Sequence, residues 1–145
     1  MRVFIAGIMQ GSRKEKSLHS QNYRQEISEI FLKAFPEAEI YDPYAKNQNS
    51  LNYGDETGKE TFLRHNKMCS TGIDVLIAYV PEASMGTAIE IWEAWKNGAT
   101  ILTISPLTKN WVVRYLSEAI YPDIETFADS LKDWKIDGDK LVKRI

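Results

Sequence analysis

Apolar residues in this chain follow two rhythms. Unbroken runs, VFIAGI at 3–8, DVLIAYV at 74–80 and TILTIS at 100–105, predict strands covered on both faces. Between the runs, apolar positions recur at helical spacing. Tyr23, Ile27, Ile30, Phe31 and Ala34 mark a helix over 19–35, which Pro36 stops. AEIYDPY at 38–44 reads as a short strand ending in a turn, and the polar stretch 45–57 as a long loop. A second helix is predicted over 59–73, with Phe62, Asn66, Cys69 and Ile73 on one face. A third covers 86–98 and is closed by Gly98, with Ala88, Ile91, Trp92 and Trp95 as its buried stripe. A helix near 109–119, an extended piece at Ile120 and Tyr121, and a helix near 123–133 complete the order. The basic tail KLVKRI reads as a solubilising end.

Strands alternating with helices imply parallel βαβ units. The expected fold is α/β: one domain over 1–145, a three-layer doubly wound parallel sheet of about five strands, flavodoxin- or Rossmann-like. Such sheets bind ligands beyond the carboxyl ends of their strands, where the winding reverses. GIMQGSR and PEASMGT, which follow two of the apolar runs, should therefore border one crevice.

Composition narrows the field only slightly. The 145 residues are 43% hydrophobic and 26% charged, with a net charge of −2, which offers no electrostatic attraction to nucleic acid or to an anionic membrane. Cys69 is the only cysteine, so no intrachain disulfide forms and a reducing compartment is expected. The first apolar run is too short for a signal peptide, and no segment reaches the roughly 20 apolar residues that span a bilayer. A cytoplasmic protein is expected. His19 and His65 lie far apart and the acids lack ligand spacing, so neither a metal nor a cofactor is expected.

The candidate chemistry centres on Glu90. In one reading Thr87 caps the helix and Glu90 reaches back to a free N–H, as in a capping box. In the other, Glu90 is a carboxylate held at the edge of the sheet, free to attack a ligand in the crevice. Periodicity leaves both open. Ser84 and Gly86 stand where a helix N-terminus meets the crevice, a place suited to anions. Gly7 and Gly11 allow a tight turn after the first strand, beside Ser12 and Arg13, whose hydroxyl and charge suit an oxyanion. The spacing is not that of a P-loop.

VFIAGIMQGSR followed by DVLIAYVPEASMGTAIEIWEA resembles the nucleoside 2-deoxyribosyltransferase superfamily, and within it the branch of nucleoside 5′-monophosphate N-glycosidases. The resemblance spans most of 3–105. It implies that Glu90 is a nucleophile on the anomeric carbon, and that Ser84, Gly86, Ser12 and Arg13 hold a 5′-phosphate. It also places Gly7, Gly11 and Thr87 at the substrate, and a small-molecule nucleotide or nucleoside as the partner. Family members form dimers or larger assemblies, for which NWVVRYL (110–116) is a candidate contact.

Three positions depart from the family. Asn66 stands where an Asp is common, and cannot supply a proton to the leaving base; general acid catalysis is worth about 10²–10⁴ in rate. His65 next to it should point elsewhere along the helix and lie at the surface. Phe4 replaces a common Tyr, which leaves room near the sugar and suggests tolerance of a ribose 2′-hydroxyl. Trp92 replaces a Gly. Tyr44, after the second strand, is a candidate to stack on a base. The alternatives to an N-glycosidase or transferase are a catalytically weak nucleotide sensor and a glycohydrolase of NAD type.

Overall fold

The computed structural model describes residues 1–145. Strands β1 (Arg2–Gly7), β2 (Glu39–Tyr41), β3 (Val75–Tyr79), β4 (Thr100–Ile104) and β5 (Ala119–Tyr121) form one sheet in the order β2-β1-β3-β4-β5, every pair parallel. Helices α1 (Asn22–Ala34), α2 (Pro43–Lys46), α3 (Asp55–Thr71), α4 (Met85–Lys96), α5 (Trp111–Leu116) and α6 (Ile124–Ser130) make the crossovers and cover the faces. A two-stranded antiparallel hairpin, β6 (Trp134–Asp137) and β7 (Lys140–Lys143), ends the chain.

The unbroken apolar runs become strands because alternate residues are buried on opposite sides. Val3, Ile5, Val75 and Ile77 pack under Ile27 and Phe31 of α1 and Phe127 of α6. Phe4, Ala6, Leu76 and Ala78 pack under Cys69 of α3 and Ile91 and Ala94 of α4. Each such aliphatic side chain contributes about 1.5–3 kcal/mol when fully buried. The winding reverses between β1 and β3, whose last residues Gly7 and Tyr79 are register partners. A crevice therefore opens beyond these two strand ends.

Four expectations are corrected. The stretch 45–57 is not one loop: α2, a 3-10 turn at Ser50–Asn52 and the start of α3 occupy much of it. On α4 the buried stripe is Thr87, Ile91 and Ala94, while Trp92 and Trp95 are 47% and 46% exposed and stack on each other. On α3 the buried residues are His65 and Cys69, so His65 is no surface histidine. The tail is structural: Trp134 and Leu141 enter the core, Trp134 Nε1 donates to Tyr121 Oη (3.0 Å), and Thr100 Oγ1 donates to the Leu141 carbonyl (3.1 Å). Gly138, at φ +61°, makes the tight hairpin turn that joins β6 and β7.

Candidate active site

The loop after β1 is shaped by one tyrosine. Tyr23 of α1 donates from its hydroxyl to the Ile8 carbonyl (2.9 Å) and stacks on Tyr79 with ring centroids 4.3 Å apart. A Cβ at Gly7 would collide with that ring, its Cε2 only 2.8 Å away, so the position accepts only glycine. Beside it Arg24 is 2% exposed. Its guanidinium donates to the carbonyls of Ile5 (2.7 Å) and Gly7 (3.1 Å), to Gln21 Oε1 (2.7 Å), and lies 3.4 Å from Asp42. A buried cation is thus held at the end of β1, with each of its three nitrogens donating to the protein.

The opposite side is the N-terminus of α4. Ser84 is its cap: the hydroxyl accepts from the Thr87 N–H (3.4 Å) and pairs with the Thr87 hydroxyl (2.9 Å). The N–H groups of Met85 and Gly86 precede any intrahelical acceptor. A Cβ built on Gly86 meets nothing within 4 Å, so the protein itself has no packing need for glycine there. With Ser84 as the cap, Glu90 falls in the second turn, three residues beyond any capping box. It makes no hydrogen bond or ion pair with the protein, and its oxygens are not sealed from solvent.

These parts enclose a cavity of about 270 Å³ that Gly7, Gly11, Arg24, His65, Gly86 and Glu90 help to line, together with Ser84 and Thr87. Glu90 is half-buried, crowded by the cavity walls yet open to the cavity itself. Burial raises its pKa to about 7, opposed by the Arg24 charge. His65, buried on α3, has its pKa lowered to about 4 by burial and, secondarily, by the cations of Arg64 and Arg24. At neutral pH the cavity thus holds a neutral imidazole and a carboxyl near its titration midpoint.

The remaining expected residues lie elsewhere. Arg13 is exposed and donates from Nη1 to the Leu18 carbonyl (2.6 Å) and the Ser17 hydroxyl (3.5 Å), and Ser12 is exposed in the same loop. Phe4 is fully buried, stacked on Tyr41 at 5.7 Å, and forms the backing of His65 rather than a cavity wall. Tyr44 lines a separate open groove. Asn66 donates to the Phe62 carbonyl of its own helix (2.8 Å) and does not line the cavity. Arg24 and His65 were missed. Arg24 was detectable as a charge three residues before Ile27 and seven before Phe31, inside an apolar stripe. His65 was detectable as the residue four before Cys69 on the buried face.

No protein-family model matches the chain, and no curated protein matches it. Solved structures do. A 2-deoxyribosyltransferase from Bacillus psychrosaccharolyticus is similar over 100% of both chains, with a TM-score of 0.64 at 12% identity. The CMP N-glycosidase BcmB of Clostridium botulinum is similar over 91% of this chain and 98% of its own, with a TM-score of 0.51 at 20% identity. A conserved protein from Enterococcus faecalis V583 gives 0.57 at 15% identity over 91% of this chain and 97% of its own. The fold is shared. At these identities the likeness is one of architecture, and it agrees with the fold expected from the apolar runs.

Proposed function

We propose that this protein is an enzyme of the nucleoside 2-deoxyribosyltransferase type, which cleaves or transfers the base–sugar bond of a nucleoside 5′-monophosphate with Glu90 as nucleophile. The observation that carries the reading is an unpaired carboxyl in a cavity at the β1/β3 switch point, beside a helix N-terminus with free N–H groups. The motifs at the two strand ends and the fold shared with a 2-deoxyribosyltransferase and a CMP N-glycosidase support it.

In this reading the phosphate rests on the N–H groups of Met85 and Gly86 and on the hydroxyls of Ser84 and Thr87. The Glu90 carboxylate forms a bond to C1′ as the C1′–N bond breaks, and the bonding pair leaves with the base. Water then adds at C1′, releasing sugar phosphate and restoring the carboxylate; a second base in place of water gives transfer. Arg24 stabilises the ionised form of Glu90 before attack. The cavity of about 270 Å³ suits one nucleotide rather than a dinucleotide.

The decisive experiment incubates the protein with nucleoside monophosphates, nucleosides and NAD and measures free base, with Glu90→Ala as control. Base release from a monophosphate that disappears in Glu90→Ala supports the reading. Release that survives the substitution removes the mechanism, and binding without release makes the protein a nucleotide sensor. The exposed aromatic residues Trp92, Trp95, Trp111 and Tyr115 on α4 and α5 fit a contact between copies of the chain, which sedentation of the free protein by analytical ultracentrifugation tests.

A further inference from the structure

His65 is fixed more tightly than a cavity wall requires. Its Nε2 lies 3.3 Å from Tyr41 Oη and 3.4 Å from Asn47 Nδ2. The orientation of the Asn47 amide follows from its other partners. The Pro43 carbonyl, 2.8 Å away, only accepts, so it faces the amide nitrogen; the Tyr53 hydroxyl, 2.9 Å away, donates to the amide oxygen. The nitrogen therefore donates to His65 Nε2, which must accept, and the ring proton resides on Nδ1. Nδ1 has no partner within the protein and is not sealed from solvent, although the residue is only 9% exposed. Phe4 and Tyr41 meet the ring edge-on at 6.2 and 5.9 Å and prevent it from turning over freely. One outward donor remains, on a residue that lines the Glu90 cavity.

We propose that His65 Nδ1–H recognises the base of the nucleotide, donating to an acceptor atom next to the glycosidic nitrogen: O2 of a pyrimidine or N3 of a purine. This rests on the N-glycosidase reading of the same cavity. As the C1′–N bond opens, its electron pair spreads over the base ring onto that acceptor, so the hydrogen bond strengthens as charge develops. His65 keeps its proton throughout, and the proton that the free base finally takes comes from water. Asn66 does not serve here, because it does not line the cavity and its amide already donates to the Phe62 carbonyl. Asn47, Tyr41 and Tyr53 are positioning residues that set the tautomer.

Two measurements test this. Nitrogen NMR of histidine-labelled Glu90→Gln protein, with His19→Asn used for assignment, reads the tautomer and its response to CMP, UMP, AMP and GMP. A protonated Nδ1 that shifts on addition of a nucleotide supports the proposal. A proton on Nε2, or an Nδ1 signal that no nucleotide moves, overturns it. Kinetics on the best monophosphate give the second measurement. His65→Gln and His65→Leu should lose about 10²-fold in kcat with KM little changed, whereas His65→Asn, which restores an N–H near Nδ1, should recover most of it. Equal losses in all three overturn the proposal, with thermal melts confirming that each variant is folded. Failure of the underlying reading shows differently, as base release that Glu90→Ala does not change, and the NMR result is obtained without turnover.

Discussion

The two walls of the crevice are built from similar residues and do opposite things. The wall after β1, residues 8–21, is rich in polar groups that bind one another: Gln10 donates to the carbonyls of Arg13 and Glu15, Gln21 to those of Ile8 and His19, and Arg13 to that of Leu18. The wall before α4 has fewer polar groups, and those at Met85, Gly86 and Glu90 have no protein partner. A hydrogen-bonding group already satisfied at home has little left for a ligand. The walls approach each other where His19 Nε2 lies 3.1 Å from Glu82 Oε1. One wall spends its polar groups on its own shape, and the other leaves them free.

Substitutions can break this contrast, and the largest effect belongs to Glu90. Glu90→Gln should lower base release by at least about 10³-fold, measured as kcat/KM on the best monophosphate. The same substitution should stabilise the protein at alkaline pH. Folding raises the pKa of Glu90 from 4.5 to about 7, so its favourable contribution is complete below 4.5 and is lost as pH rises through 7. Glu90→Gln should thus exceed the wild type by about 1–3 kcal/mol at pH 8 and match it at pH 4, read by chemical denaturation. In the wild type, kcat/KM should rise through pH 7 as the nucleophile ionises; a flat profile from pH 6 to 8 would contradict this assignment.

Next in size is Arg24→Met, on α1, where the guanidinium braces the end of β1 behind the wall that follows it. It leaves the carbonyls of Ile5 and Gly7 without their donor and Asp42 without its cation, and should cost about 3 kcal/mol of stability. A melting temperature unchanged by this substitution would mean that the wall does not depend on its buried charge. Gly86→Ala should leave the melting temperature unchanged or slightly higher, since the added methyl meets no atom, yet raise KM for a monophosphate about tenfold by crowding the helix end. An unchanged KM would separate the phosphate from α4. The smallest effect should be that of Arg13→Ala, under about twofold in KM, because Arg13 is exposed, does not line the cavity, and already donates from Nη1 to the Leu18 carbonyl.

The sheet was legible because strands buried on both faces leave continuous apolar runs, as VFIAGI and VLIAY do. The hairpin was not, because seven of the ten residues in WKIDGDKLVK are exposed, and the segment resembles an ordinary charged tail. Within the site, Ser84, Gly86, Thr87 and Glu90 could be placed together because a strand-to-helix turn is a local unit. Arg13 misled because the sequence shows a charge but not the carbonyl that absorbs it. The α3 face was placed correctly at Cys69, but the step back from it was taken as three residues, to Asn66, where the buried position lies four back, at His65.

The hairpin also decides where the molecule can be handled. Leu141 docks beside Thr100, at the start of β4, whereas the crevice lies past the far tips of β1 and β3. A linker or surface anchor joined after β7 would leave from the opposite pole, with the mouth turned outward to solution.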